Sequence, residues 1–233
     1  MATDEPRPFS RLHEWVSLLE TYGLGSFGWG VAWLDDPSGE VRVVRDIGRY
    51  IDQYKEHEEL LDVDSRRFLV HLRRPNKLST VQLADTQPFF HGTDYAFCHN
   101  GFLSRAEALR PPYADRLKGG ADSEVGWVFF SDRIEAGVKP VDALAEVDET
   151  FQGKVNLGYL GADGTLALYT DNRQNAMWHF RTDGAEVVST SVHSDDDSVF
   201  TLIFPNSSDP QLVPIGTAVT LGDGVVPLAG EIR

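Results

Sequence analysis

Two helical segments stand back to back in the middle of the chain, "DSEVGWVFFSDRIEAG" from Asp122 and "PVDALAEVDETF" from Pro140, with strand patterns on both sides of them. This order constrains the fold more than any other feature. A doubly wound parallel sheet needs strands and helices in alternation, because each parallel crossover takes its own connecting element. Strands in blocks, with the helices grouped between them, predict an α+β layered fold instead. After Gly153 the apolar runs "KVNLGYL", "TLALYTD", "AMWHFR", "EVVSTS" and "VFTLIF" follow one another across turn sequences such as "GADG" and "TDGA", and all five are read as strands of antiparallel sheet. Near the start, Leu12, Trp15, Val16, Leu19 and Tyr22 keep helical spacing, with Ser10 as the N-cap and Gly23 as the stop. A hairpin follows, "FGWGVAWLDD" and "EVRVVRD" joined by Asp36-Pro37-Ser38-Gly39. Residues 49–62 read as a charged helix and "RFLVHLRR" as a strand, whereas the proline-broken "MATDEPRP" is too polar and interrupted to be one.

The segment "YAFCHNGFL", residues 95–103, joins this scaffold to chemistry. In a strand Tyr95, Phe97 and His99 point to one face and Ala96, Cys98 and Asn100 to the other. Asn100-Gly101 is then either a plain turn pair or a pair of N–H donors, one side-chain and one backbone, aimed at a developing oxyanion.

Composition excludes several classes. With 233 residues the chain is read as one domain, 1–233. Its formal charge of −15 repels nucleic acid and anionic membranes. No window approaches the ~20 apolar residues of a bilayer span, and the N-terminal stretch lacks the basic and apolar blocks of a signal peptide, so the protein reads as cytoplasmic. The single cysteine, Cys98, excludes an internal disulfide and a thiolate-rich zinc site. No cofactor or metal is expected. "HSDDDS" at 193–198 lacks the spacing and glycine of an EF-hand and reads as a solvated acidic loop.

Four polar clusters stand where strands end or helices begin: "VHLRRP" at 70–75, "DTQPF" at 85–89, "HNG" at 99–101 and "ADSE" at 121–124. In this order and at these intervals the chain resembles the class II glutamine amidotransferases, members of the N-terminal-nucleophile (Ntn) hydrolases. "GWGVAWLD" at 28–35 and "DGTLALYTDNR" at 163–173 extend the likeness to roughly residues 20–205, while "DTQPF" departs from the family's usual Asn-Thr-His-Pro-Phe. The resemblance implies a four-layer αββα sandwich of two antiparallel sheets. It also implies hydrolysis of the γ-amide of glutamine, or of a γ-glutamyl compound, through a glutamyl thioester. Arg73 matches the arginine that grips the substrate α-carboxylate, a task suited to a planar guanidinium. Asp122 matches the carboxylate that receives the α-ammonium, and Asn100 and Gly101 match the oxyanion hole.

Each residue has a plainer reading. Arg73 and Arg74 can be surface charges at a strand end, Asp122 an ordinary helix cap, and Gly28 and Gly30 a device for close packing. His71 and His99 read as core or strand-end histidines. Cys98 reads as a small buried hydrophobe, since its neighbour His99 faces the other way.

The family's nucleophile is the thiol of an N-terminal cysteine, with its own α-amine as base. This sequence begins Met1-Ala2-Thr3. Three accounts remain open: a start upstream, with "MAT" as the tail of the first strand; processing to expose Thr3; or a glutamine-pocket protein that serves as a sensor or partner subunit. Ammonia, if released, goes to a separate synthase subunit, or the protein acts alone on a γ-glutamyl compound.

Overall fold

A computed structural model describes residues 1–23, 25–191 and 197–222. The acidic loop anticipated at 193–198 lies almost wholly outside the described residues. In chain order the elements are β1 (Ala2–Pro8), α1 (Ser10–Gly23), β2 (Trp29–Asp35), β3 (Glu40–Asp46), α2 (Tyr50–Gln53) with a 3-10 run Tyr54–Asp62, and β4 (Asp64–Leu72). Then come β5 (Phe89–His91), β6 (Tyr95–Leu103), α3 (Ala106–Leu109), α4 (Asp122–Glu135), α5 (Pro140–Phe151), β7 (Gly153–Gly161) and β8 (Leu166–Asp171). The chain closes with β9 (Met177–Thr182), β10 (Ala185–Thr190), α6 (Asp197–Ile203), β11 (Ser208–Leu212) and β12 (Thr217–Leu221).

The strands form two antiparallel sheets, one in the order β11-β9-β10-β1-β4-β2-β3 and one in the order β12-β8-β7-β6-β5. Strand alternation sends one set of apolar side chains to each face, and both faces of both sheets are covered. Ala32 and Leu69 from the larger sheet meet Ala96, Leu160 and Leu168 from the smaller one in the middle layer. The other face of the smaller sheet carries Phe97, Leu157 and Tyr159 against Val125 and Phe130 of α4 and Leu144 and Val147 of α5. The outer face of the larger sheet packs Trp29, Val31 and Phe68 on Leu12 and Val16 of α1, and Phe180 and Val187 on Phe200 and Ile203 of α6. The result is the helix-sheet-sheet-helix sandwich expected from the sequence.

Four local expectations need correction. Residues 2–8 do form a strand. Its prolines are tolerated because the ladder is irregular: Ala2 pairs with Arg67 and Arg7 with Ser65, with a register shift between them that accommodates Pro6. The run "VFTLIF" is helical from Val199 to Ile203, because Phe200, Ile203 and Phe204 bury one face at i, i+3, i+4 while Leu202 is exposed. Residues 49–62 are a short α-helix running into a 3-10 segment broken at His57, whose imidazole bonds Asp46 at 3.0 Å. Finally, α1 begins at Ser10 itself, and the carbonyl of fully buried Phe9 accepts its first bonds from Leu12 and His13.

Candidate active site

Arg73, Asn100, Gly101 and Asp122 come from three separate elements and line one cavity of about 280 Å³. Arg73 leaves β4 with its backbone fixed on both sides, its N–H donating to Gly28 O at 2.8 Å and its carbonyl accepting from Ser26 and Phe27. It is not a surface charge. Its side chain is 4% exposed. Nη2 donates to Thr80 Oγ1 at 2.8 Å, while the buried Nη1 has no partner among the described residues. Burial pushes the guanidinium's pKa down, and the charges of Asp85 and Asp122 oppose that shift. Arg74, one residue on, is exposed.

Asn100 and Gly101 lie within β6 and not in a turn. Asn100 Oδ1 accepts from Asn156 Nδ2 at 3.2 Å and from Asn175 Nδ2 at 2.8 Å. Two donors on the oxygen fix the amide's orientation, which leaves its nitrogen for the cavity. Behind it, Thr170 Oγ1 donates to Asn156 Oδ1 at 2.7 Å, so the orienting group is itself oriented. Gly101 has φ +140°, and a Cβ there would run into the carbonyl oxygen of Lys154, so only glycine fits.

Asp122 does not cap α4 with its side chain. Its Oδ2 accepts the Leu103 N–H at 2.8 Å, tying the helix start to the end of β6. The loop ahead of it is held from two sides. Asp85, fully buried, accepts from Gly120 and Ala121 N–H at 3.1 and 2.7 Å, and Glu124 accepts from Lys118 and Gly119 at 2.7 and 2.8 Å. Gln87 explains how the altered "DTQPF" loop is used: its Oε1 accepts His99 N–H at 2.6 Å and its Nε2 donates to His99 O at 3.1 Å.

The histidines hold neighbours in place. His71 Nε2 donates to His99 O at 3.2 Å, and burial, helped by His99 and Arg73, lowers its pKa to about 3. His99 Nδ1 bonds Ser123 Oγ at 2.9 Å, and burial lowers its pKa against the pull of Asp122. Cys98 turns the other way, into the layer between the sheets, where burial raises its thiol pKa to about 12. It is no nucleophile there.

Asn156, Asn175 and Thr80 escaped the sequence reading, and Asp85 and Gln87 entered it only within "DTQPF", with no role of their own. Asn156 carried a signal, being the one polar residue inside the apolar run "VNLGYL". The others are in turns and loops, where polar residues are ordinary.

The family profile of the class-II glutamine amidotransferases matches residues 14–192. The chain belongs to that family. Among solved structures it is similar to the glutamine phosphoribosylpyrophosphate amidotransferase of B. subtilis complexed with ADP and GMP, with 17% identity and a TM-score of 0.70 over 95% of this chain and 46% of that one. It is similar also to an allosteric regulatory enzyme of purine biosynthesis, at 17% identity and TM-score 0.68 over 91% and 44% of the two chains. A third likeness is to a glutamine aminotransferase class-II domain protein from Silicibacter pomeroyi, at 18% and 0.56 over 86% and 89%. The chain thus spans just under half the length of the first two. It matches none of the curated proteins with which it was compared. No helix among the described residues is long and apolar enough to cross a membrane.

Proposed function

We propose that this domain hydrolyses the γ-amide of glutamine, or of a γ-glutamyl compound, once a cysteine is supplied at the N-terminus of its first strand. The observation that carries the reading is Arg73, which lines the same cavity as Asp122 and Asn100 and whose buried Nη1 has no partner among the described residues. A buried donor without a partner costs about 1–3 kcal/mol, which a bound carboxylate would recover. Arg73 takes the α-carboxylate and Asp122 the α-ammonium, so the two ends of an amino acid fix its orientation. The γ-carbonyl then falls to Asn100 Nδ2 and the Gly101 N–H. These donors stabilise the oxyanion by about 3–4 kcal/mol each when preformed.

The chemistry is acyl transfer. The cysteine sulfur attacks the amide carbon, and its proton passes by way of the α-amine to the leaving nitrogen, so that the C–N bond breaks and ammonia departs. Water then cleaves the C–S bond, giving glutamate and restoring the thiol. A separate synthase subunit takes the ammonia, or the domain acts alone as an amidohydrolase in the cytoplasm.

A second reading applies to a chain that begins at Met1. With Cys98 packed between the sheets and its thiol held protonated, the chain binds the amino acid without turning it over, as a sensor or partner subunit. Thermal unfolding with glutamine, alongside ammonia release, tests both readings. Expected are stabilisation by glutamine that is lost in Arg73→Lys and Asp122→Asn, and ammonia release only from a chain restored with an N-terminal cysteine. Arg73→Lys keeps the charge but not the fork, so unfolding of the variant does not confuse the result. If neither glutamine nor simple γ-glutamyl amides stabilise or react in either form, the pocket assignment is wrong.

A further inference from the structure

Strand β6 is paired with β7 along its whole length, from Tyr95↔Gly161 to Leu103↔Gly153. On its other side it has β5 for three residues, from His91↔Tyr95 to Phe89↔Phe97. Continued to the next bonded pair, that register sets residue 87 opposite His99. The backbone of Gln87 does not take that place. It lies against β2 instead, where a Cβ on Gly30 would collide with the Gln87 carbonyl oxygen. Its side chain does the backbone's work: Oε1 accepts His99 N–H at 2.6 Å and Nε2 donates to His99 O at 3.1 Å. A carboxamide offers the same acceptor and donor as a peptide group, so one side chain supplies the missing rung of the ladder.

This rung stands two residues ahead of Gly101. Antiparallel strands address their two neighbours with alternate residues. His99 and Leu103 turn their N–H groups away from β7, to Gln87 and to Asp122 Oδ2, whereas Ser104 N–H donates to Gln152 O beside β7. Gly101, midway between His99 and Leu103, therefore presents its N–H on the same side, past the end of β5 and at the cavity that it lines. Its carbonyl faces that side too, with Asn76 Nδ2 at 3.5 Å. His99 is also gripped by His71, whose Nε2 donates to the same carbonyl at 3.2 Å, and by Ser123, whose Oγ meets the ring Nδ1 at 2.9 Å.

We propose that Gln87 is a positioning residue for the oxyanion donors: its carboxamide fixes β6 at His99 and thereby sets the direction of the Gly101 N–H. The catalytic half of this rests on the glutamine-hydrolysis reading, and the placement of the donor does not. A preformed donor is worth its full effect only when it is aimed before the charge develops. The chemistry required at position 87 is narrow. A carboxylate of the same shape accepts His99 N–H equally well, but it sets a second acceptor against His99 O, and only its protonated form restores the donor.

Gln87→Glu and Gln87→Leu are compared with the unsubstituted chain, all three restored with an N-terminal cysteine. Ammonia release from glutamine gives kcat and KM between pH 5 and 8, each taken as a ratio to the unsubstituted chain at the same pH, which cancels the titration of the α-amine. The Gly101 amide resonance is followed by NMR without ligand. At pH 8, Gln87→Glu is expected to lower kcat about tenfold or more with KM within about twofold, and to displace the Gly101 resonance. Burial holds the new carboxyl above its ordinary pKa of about 4.3, so it takes up a proton as the pH falls toward 5. The kcat ratio then recovers to within about threefold, and the Gly101 resonance returns along the same curve. Gln87→Leu, with neither bond, shows the defect at every pH.

A raised KM with kcat unchanged would assign Gln87 to substrate binding and overturn the proposal, as would a kcat ratio for Gln87→Glu that does not vary with pH. If Gln87→Leu does not fold, the pH course of Gln87→Glu still decides. If no chain releases ammonia, the hydrolysis reading fails, and the Gly101 resonance alone judges the placement: displaced and pH-dependent in Gln87→Glu sustains it, unmoved overturns it.

Discussion

The two cavities share His71, Leu72, Arg74 and Asn100, and they are built on opposite principles. The one that holds Arg73 and Asp122 is made of polar side chains each held by a partner of the protein: Thr80 on the guanidinium, Leu103 N–H on the carboxylate, Asn156 and Asn175 on the amide. The other, of about 190 Å³, lies between Leu69–Leu72 of β4 and Val187–Thr190 of β10 and is made of backbone edges and mostly apolar walls. Side-chain networks of the first kind fix direction, which is what a small zwitterion with one reactive carbonyl needs. Backbone edges fix register and accept any sequence of suitable polarity. The difference implies that the two cavities are separable, and each can be perturbed without the other.

The largest effect is expected at Asn100. In a chain restored with an N-terminal cysteine, Asn100→Ala should lower the rate of ammonia release about 10²- to 10³-fold, the loss of one oxyanion donor. Glutamine-dependent stabilisation should persist, because Arg73 and Asp122 are untouched. Equal loss of turnover and of binding would mean that Asn100 holds the ground state, and the two cavities would not be separable in the way their construction suggests.

A smaller effect is expected one step behind it. Asn156→Leu removes one of the two donors to Asn100 Oδ1 and leaves Asn175 in place at 2.8 Å. The amide is then held by one bond, and kcat should fall roughly tenfold with KM little changed, as for a positioning residue. The variant also takes its acceptor from the Thr170 hydroxyl, at a stability cost of about 1–3 kcal/mol. A rise in KM alone would assign Asn156 to substrate binding.

The cleft has its own signature in pH. In a chain that begins at Met1, burial lowers the α-amine pKa from 8.0 to about 5, with Arg67 on β4 adding to the shift and Glu186 on β10 opposing it. Glu186 in turn bonds His179 of β9 at 2.8 Å. Between pH 5 and 8 the unfolded chain therefore holds a proton that the folded chain has lost, and stability rises with pH across that window. Below about pH 5 both forms are protonated and the penalty is complete. Urea midpoints at several pH values should show this slope in the Met1 chain and its disappearance in a chain lengthened at its N-terminus, where the amine has moved away. A slope unchanged by the added residues would assign the titration to another group.

How much of this was legible in the sequence follows the same division. Arg73 stands at the end of a strand, Asp122 at the start of a helix, and Asn100 and Gly101 within β6, all in short polar motifs, and the structure gathers all four at one cavity. The layer order could be read because apolar periodicity is local. What orients them was not legible: Asn156 lies 56 residues from Asn100 and Asn175 lies 75 away, and no local pattern encodes a contact of that span. The strand β1 was hidden for a different reason. Its prolines and charges deny it any intrinsic strand character, and it is a strand only because β4 and Glu186 of β10 stand on either side of it. The run around Phe200 shows the limit of a short apolar segment, whose period does not separate strand from helix until its partners Phe180 and Trp15 are in place.

The smallest expected effect lies at Arg74, and it sharpens the comparison by its size. Arg73 and Arg74 are adjacent in sequence, but one is buried with a free donor and the other is exposed at the rim shared by both cavities. Water already solvates an exposed guanidinium, so its removal releases no buried group and leaves none unpaired. Arg74→Ala should therefore change stability by no more than about 0.5 kcal/mol and should leave glutamine stabilisation nearly intact. Titration of both variants with glutamine, followed by thermal unfolding, gives the ratio directly. If Arg74→Ala loses as much as Arg73→Lys, the α-carboxylate sits at the rim, and the unpartnered nitrogen of Arg73 serves some other group of the substrate.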